Sequence, residues 1–404
     1  MTPFLQFVLL LAIILTAAKF AGYLSSAIGQ PSVLGELFVG LILGPSLVDI
    51  LHLPVFSDHL LEEMIDHIAE IGVLLLMFVA GLELHLLELA RNSKVSVLGG
   101  ILGVVIPVGL GYGVGLSFGF DSNQAIFLGL TLGATSVSIS AQTLMELKEL
   151  RSRVGLGLLG AAVFDDILVI LLLSGFLAIN SGEGSAATIF LIFFRMIIFL
   201  FLSVLFGMWL LPGLVRRIAH LPISQGMVTL ALVVMFVYGL GAEIVGEMAA
   251  ITGTFLAGLM FARSPEKDRL ERGMSALSYG FFVPIFFVNI GLHVNIRALE
   301  TGIIWLFLSI SIAAILGKLL GGGLGARLAN FSWREATQLG AGMISRGEVG
   351  LIIASVGMDQ KLVSDGEFSA IVGMVIVTTL VTPPLLRFLF AERTRGLSTE
   401  TQNG

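Results

Sequence analysis

Thirteen apolar segments follow one another along this chain, joined by short polar linkers, and no motif constrains the fold as much as that pattern. They lie at approximately 4–26, 32–52, 63–88, 95–120, 123–146, 153–180, 186–214, 222–241, 246–262, 273–296, 300–326, 333–357 and 367–390. About 20 apolar residues make a helix long enough to cross the hydrocarbon core of a bilayer. Only 12% of the residues are charged, against roughly 25% in a soluble domain. Such a chain cannot present a solvated surface all round, so lipid is its solvent. The alternation of outer-membrane strands is absent, and in lipid only helices and closed barrels satisfy their backbone groups. The expected fold is an all-α polytopic membrane protein with about 13 transmembrane helices. No linker is long enough for a soluble domain, and residues 391–404 read as a short, flexible cytoplasmic tail. The first apolar run begins at Phe4 with no basic residue before it, unlike a cleaved signal peptide, and is read as a true span. The chain has no cysteine, which excludes disulfides, thiolate metal sites and cysteine nucleophiles.

Basic residues test the segmentation. With linkers on alternating sides, one side carries only Arg297 and Lys361, and the other carries 16 of the 22 Lys and Arg residues. The remaining four, Lys19, Arg195, Lys318 and Arg346, fall inside spans. A wrong helix count would scramble this asymmetry. The positive-inside rule then puts the N-terminus outside and the C-terminus in the cytoplasm.

The two ends of the chain also resemble each other. Val79-Ala80-Gly81-Leu82 matches Asn289-Ile290-Gly291-Leu292, and Gly111, Gly113 and Gly115 match Gly321, Gly323 and Gly325. Gly35 and Gly40-Leu41 match Gly253 and Gly258-Leu259, and Ala125-x-x-Leu128-Gly129 matches Ala336-x-x-Leu339-Gly340. Together these pair the second to fifth segments with the ninth to twelfth. The offset of seven segments is odd, so the halves, about 4–180 and 222–390, run in opposite orientation around a linker helix at 186–214. Inverted repeats of this kind build transporters, with the substrate site near the bilayer midplane.

The sixth segment holds two adjacent aspartates, Asp165 and Asp166, near its middle. Each costs about 2.5–3.5 kcal/mol to insert at a helix centre. A structural ion pair is the bland explanation. The functional one is a cation and proton site, because hard cations want oxygen ligands and carboxylates supply them with charge. Burial and a like-charged neighbour favour the neutral form of a carboxyl, so protons compete there with a cation such as Na⁺. A site that holds one or the other yields exchange. Lys318, deep in the eleventh segment, needs a buried counter-charge, and an aspartate of the sixth is the obvious candidate. Adjacent helical residues differ by about 100° in direction, so one aspartate can face Lys318 while the other faces the ion path. Lys318 is either a structural partner or a group that itself releases a proton during transport.

The fifth segment reads Gly133-Ala134-Thr135-Ser136-Val137-Ser138-Ile139-Ser140, and the twelfth reads Gly342-Met343-Ile344-Ser345-Arg346-Gly347-Glu348-Val349-Gly350. Interrupted helices at matching positions of two inverted halves point to a transport site. Unwound backbone there offers carbonyls to a cation and N–H dipoles to the aspartates. The alternative for the fifth segment is hydroxyls that bond back to their own helix. Arg346 and Glu348 do not face each other on a regular helix; an unwound stretch brings them together, or Glu348 balances helix-end charge. Glu36, Glu70, Glu83, Glu243 and Glu247 lie at or near helix ends, where solvation is the simpler reading. No zinc spacing, phosphate loop or nucleophilic triad is visible, so the chain does not read as an enzyme and needs no cofactor.

These motifs, in this order, resemble the bacterial cation:proton antiporters of the second superfamily, which holds NapA-type sodium/proton antiporters and the Kef potassium-efflux proteins. The carriers of the resemblance are Gln30-Pro31-Ser32-Val33-Leu34-Gly35-Glu36, Leu75 to Glu83, Ala134-Thr135-Ser136-Val137, Ala161 to Asp166, Pro284-Ile285-Phe286-Phe287, Gly317-Lys318 and Arg346 to Leu351. The likeness covers about residues 1–390. It implies a homodimer in a bacterial inner membrane or an internal energised membrane. It implies core helices at about 95–180 and 300–390, dimerisation helices at about 4–88 and 222–296, and an elevator-like movement. It further implies that Asp166 is the main ion- and proton-carrying residue and that Asp165 pairs with Lys318. Thr135 and Ser136 then fall in the first unwound crossing segment, and adjacent aspartates are typical of electrogenic members. The chain departs from the Kef pattern at Asp165, where those proteins usually have glutamine, and it lacks their cytoplasmic nucleotide-binding domain. The function expected is exchange of sodium or lithium for protons. K⁺/H⁺ exchange of the Kef type, sodium-coupled solute symport and a passive channel are the alternatives. Nucleic acid is not an expected partner.

Overall fold

The computed structural model describes residues 1–58, 60–83, 93–181, 186–293 and 303–400. Among these residues the chain is helical throughout, with no strand. Within the described residues, each apolar segment of the sequence contains helix. They are α1 (Pro3–Ala27), α2 (Ser32–Leu43), α3 (Leu61–Leu82), α4 (Ser93–Ser117), α5 (Ser122–Gly133), α6 (Val137–Glu146), α7 (Arg153–Ser181), α8 (Ala186–Trp209) and α9 (Leu211–Ala219). There follow α10 (Gly226–Ile244), α11 (Ala250–Phe261), α12 (Lys267–Leu277), a π-turn (Ser278–Phe282), α13 (Val283–Leu292), α14 (Ile304–Leu328), α15 (Trp333–Gly342), α16 (Glu348–Asp359) and α17 (Asp365–Glu400). Among the described residues, ten helices are long and apolar enough to cross a membrane. The chain is a multi-pass membrane protein.

Two elements are shorter than their segments. Helices α2 and α11 have 12 residues each, about 18 Å of rise, against a hydrocarbon core of about 30 Å. The cause in α2 is legible. Pro45 cannot donate a hydrogen bond and pushes the residue before it out of the helical region, and Gly44 is extended (φ −73°, ψ −177°). Helix α17 carries on to Glu400 through most of the stretch that reads as a tail.

The chain divides into two compact units. Unit 1 comprises Met1–Thr16, Leu51–Arg91 and Asp166–Asn289; unit 2 comprises Ala17–Ile50, Asn92–Asp165 and Ile290–Gly404. Residues 17–50, which the resemblance groups with the dimerisation helices, fall in unit 2.

In unit 1, α3 and α11 meet backbone to backbone: Gly81 lies on the Phe255 carbonyl and Gly258 on the Phe78 carbonyl, with no room for a Cβ at either. The rings of Phe78 and Phe261 close the contact edge-on at 5.7 Å. Small residues let helix backbones approach in this way where lipid offers no hydrophobic drive. In unit 2 the counterpart of Gly81, Gly291, makes the same kind of contact with Gly40 and Leu41 of α2.

The repeat extends to helix starts and packing. Helix α5 opens with a capping box between Asp121 and Gln124, and α15 opens with one between Ser332 and Glu335; each satisfies orphan N–H groups of its first turn. Gly129 of α5 lies on the Val108 carbonyl of α4, and Gly340 of α15 lies on the Leu319 carbonyl of α14. Leu128, Leu132, Ile310, Ala314, Ala354, Ile371 and Met374 form a buried apolar cluster in the same unit. Both short helices α5 and α15 then stop inside the protein, at Gly133 and Gly342.

Candidate functional site

Helices α5 and α6 are one apolar segment broken at Ala134–Ser136. Ala134 (φ −61°, ψ 148°) and Ser136 (φ −102°, ψ 115°) are extended. Helices α15 and α16 are broken in the same way between Gly342 and Glu348. Four helix ends therefore lie inside the protein with backbone groups that have no partner in their own helix. The two breaks satisfy each other in part. The Ser136 N–H donates to the Ser345 carbonyl at 2.9 Å, and the Ser345 hydroxyl donates to the Ser136 carbonyl at 2.5 Å. The Ser140 hydroxyl donates to the Gly342 carbonyl at 2.5 Å. The hydroxyls of this segment thus cross between the breaks. Thr131 and Thr143 bond back to the carbonyls of Phe127 and Ile139, and the hydroxyls of Ser136 and Ser138 meet at 3.0 Å.

Arg346 completes the crossing. It is fully buried, and its guanidinium donates to the carbonyls of Leu132 (2.8 Å), Met343 (3.1 Å), Ile344 (2.9 Å) and Ala314 (3.2 Å). Leu132 lies in the last turn of α5, and Met343 and Ile344 directly follow α15. A cation is favoured at these negative helix ends, and the flat fork of arginine reaches several carbonyls that a single ammonium cannot. Among the described residues the partners of the Arg346 guanidinium are backbone carbonyls. The side chain of Glu348 lies outside the described residues, and its backbone opens α16. We expect Arg346→Met to leave several buried carbonyls unpaired, each at a cost of about 1–3 kcal/mol. The variant should unfold well below the wild type in detergent, with Arg346→Lys between the two. Equal melting temperatures for all three would refute this account of the crossing.

Asp165 and Asp166 are neighbours on α7, and both are buried. Their different directions give them different partners. Asp165 Oδ2 accepts from Lys318 Nζ at 2.7 Å and also from the Thr135 hydroxyl of the first break. Asp165 and Lys318 are both 0% exposed, so this ion pair has no access to solvent. Gly103 of α4 makes room for the Met343 side chain, whose Cε would lie 2.8 Å from a Cβ there. The second oxygen of Asp165, Oδ1, is buried without a hydrogen-bond partner. Asp166 Oδ2 accepts from the Thr252 hydroxyl of α11 at 3.2 Å.

Of the residues singled out in the sequence, Asp165, Lys318 and Thr135 thus form one hydrogen-bonded group. Ser136 and Arg346 belong to the crossing, and Asp166 pairs with a residue the sequence reading passed over. Thr252 carried little signal, as one hydroxyl in a short apolar helix. Among the described residues three more ion pairs join charges that the sequence left separate: Lys19 with Glu36 at 3.7 Å, Arg153 with Glu335 at 3.6 Å, and Arg195 with Glu247. The arrangement supplies carboxylate, hydroxyl and carbonyl oxygens, the donor set of a hard cation, beside the ammonium of Lys318.

Comparison with known proteins agrees. The family model described as sodium/hydrogen exchanger, transmembrane, matches residues 11–392. The chain is 38% identical to the Na⁺/H⁺-K⁺ antiporter GerN of Bacillus cereus, over 97% of this chain and 98% of that protein. It is 41% identical to the probable Na⁺/H⁺ antiporter GerT of the same organism, over 94% and 98%. It is 34% identical to a Na⁺/H⁺ antiporter of Enterococcus hirae, over 95% and 98%. Among solved structures, the sodium proton antiporter MjNhaP1 of Methanocaldococcus jannaschii matches 96% of this chain and 99% of its own, with a TM-score of 0.69 at 17% identity. At that identity the likeness speaks for the fold alone.

Proposed function

This chain belongs to the sodium/hydrogen exchanger family, and on that premise we propose that it is a secondary active antiporter exchanging sodium, or lithium, for protons. The observation that carries this reading is the buried aspartate pair, with Asp165 held by Lys318 and Asp166 by the Thr252 hydroxyl. In this reading Asp166 takes the cation or a proton, never both. Thr135 and Ser136 offer oxygen from the first break, and Arg346 keeps the crossing neutral. When the cation is bound, Lys318 gives up its proton and releases Asp165; when it leaves, Asp166 and Lys318 each take a proton and the ion pair re-forms. Two protons against one monovalent ion make the exchange electrogenic. Alternating access is of the elevator type and the protein works as a homodimer, as the resemblance to the NapA and Kef branch implies. The N-terminus lies outside and the C-terminus in the cytoplasm of an energised membrane.

Potassium is the second reading, favoured by one finding: a relative at 38% identity is a Na⁺/H⁺-K⁺ antiporter. The test is proton flux in proteoliposomes with an imposed pH gradient and NaCl, LiCl or KCl added in turn. Sodium and lithium are expected to dissipate the gradient and potassium to do so weakly. Equal or greater flux with potassium overturns the sodium assignment. Flux with no cation overturns antiport itself and moves solute symport or a channel forward.

A further inference from the structure

A second carboxylate cluster lies in unit 2, on helices other than that of the aspartate pair. Glu146 is the last residue of α6 and reaches the first turn of α2. Its Oε2 accepts from the Ser32 N–H at 2.6 Å and its Oε1 from the Ser32 hydroxyl at 2.5 Å. Gln142, one turn earlier on α6, donates its Nε2 to Glu146 Oε1 at 2.9 Å. Glu36 lies one turn beyond Ser32 on α2 and is 6% exposed. Both face Gly22 of α1, where a Cβ would meet the Ser32 Cβ at 3.5 Å and Glu36 Oε1 at 3.6 Å. The cation paired with Glu36 is Lys19, 3.7 Å away, with a side chain 54% exposed. That distance neutralises charge but is longer than a hydrogen bond.

The independent observation is Gln142. Its side chain is 93% removed from solvent (7% exposed), and its Oε1 has no hydrogen-bond partner. That oxygen shares a carbon with the nitrogen that touches Glu146, which places it beside the cluster. A second carboxamide oxygen, Gln30 Oε1, two residues before Ser32, is also buried without a partner. Native proteins rarely leave buried oxygens unpaired, and such a group signals a missing partner. Here the partner has a definite chemistry. Among the described residues the cluster holds two carboxylates and one ammonium, and Glu36, Glu146 and Gln142 contribute hard oxygens. Hard cations take such ligands.

We propose that Glu36, Glu146 and Gln142 form a second site for a monovalent cation, sodium being the ion to test. The nearby linker carries Lys148, Arg151 and Arg153, which the positive-inside rule assigns to the cytoplasm. There the site would hold the ion at the cytoplasmic end of unit 2.

The experiment uses the full chain in detergent with Asp166→Asn, which disables the proposed transport site. Thermal unfolding in NaCl is compared with choline chloride at equal ionic strength, alongside binding of radioactive sodium. A ligand that binds only the folded state raises the melting temperature. Asp166→Asn is expected to retain a sodium-dependent rise of about 2–4 °C and measurable sodium binding. Both should vanish when Glu146→Gln or Gln142→Met is added. Glutamine at 146 still accepts from Ser32, and methionine at 142 keeps the volume while removing the carboxamide. Gln142→Met alone decides the matter where Glu146→Gln fails to fold. No sodium response in Asp166→Asn, or a response that survives Gln142→Met, overturns the second site. Neither outcome touches the antiport reading, which rests on wild-type flux.

Discussion

Asp166→Asn is expected to abolish cation-coupled proton flux while the protein still folds and inserts. The two halves of that expectation have separate causes. Asparagine has nearly the same shape as aspartate and keeps a carbonyl oxygen for the Thr252 hydroxyl, which donates to Asp166 at 3.2 Å. Packing around α7 is therefore undisturbed. Losing a carboxylate in the middle of a span also removes an insertion cost of about 2.5–3.5 kcal/mol, so stability should rise or hold. Transport suffers because an amide carries no charge to balance a bound cation and takes up no proton. Losing one charged contact in a buried site costs about 3 kcal/mol or more, and each 1.4 kcal/mol is about tenfold in affinity. The sodium-driven rate should then fall by about 100-fold or more. The measurement is dissipation of an imposed pH gradient in proteoliposomes on adding NaCl, with folding checked by size exclusion and melting temperature. Flux within a few-fold of wild type would remove Asp166 from the ion site.

The sequence carried the architecture further than the wiring. The two breaks were legible because Gly133 to Ser140 and Gly342 to Gly350 put glycine and hydroxyls where a span should be apolar, at matching places in the two halves. The matching glycines carried real contacts: Gly129 and Gly340 each lie on the carbonyl of a neighbouring helix, as do Gly81 and Gly258. The bonds between the breaks were not legible. Ser136 and Ser345 are far apart in the chain, and one partner in each bond is a backbone group that no residue type announces. The carbonyl partners of Arg346 were hidden for the same reason. Glu348 is the nearest acid in sequence, whereas carbonyls at helix ends are invisible until the helices are known to stop. The Lys318 pair was legible because a lysine so deep in a span needs an anion, and α7 offers two. Residue spacing left the choice between them open; the resemblance named Asp165, and Asp165 is the residue at 2.7 Å. Thr252 stayed hidden because a single threonine in an apolar helix is ordinary.

Lys318→Met should be the most destabilising single change in the Asp165 group, and Asp165→Asn in the same chain should rescue it. Asp165 and Lys318 are both 0% exposed. Methionine fills the space of the lysine stem, so no large cavity opens. What remains is a carboxylate in a dry site, supported by the Thr135 hydroxyl and with its Oδ1 unpaired. Removing one partner of a buried ion pair costs about 3–5 kcal/mol, whereas replacing both with neutral groups is often harmless. The double variant should therefore melt close to wild type and the single one far below it. Transport adds a readout that packing alone would not move. The double variant keeps Asp166 as its only carboxyl in the pair, so it can exchange one proton for one sodium. Its flux should then lose its dependence on membrane potential, tested by clamping proteoliposomes with valinomycin and potassium. A double variant as unstable as Lys318→Met would show that the lysine acts through packing. One that is stable but still driven by potential would mean that the Asp165–Lys318 pair does not carry the second proton.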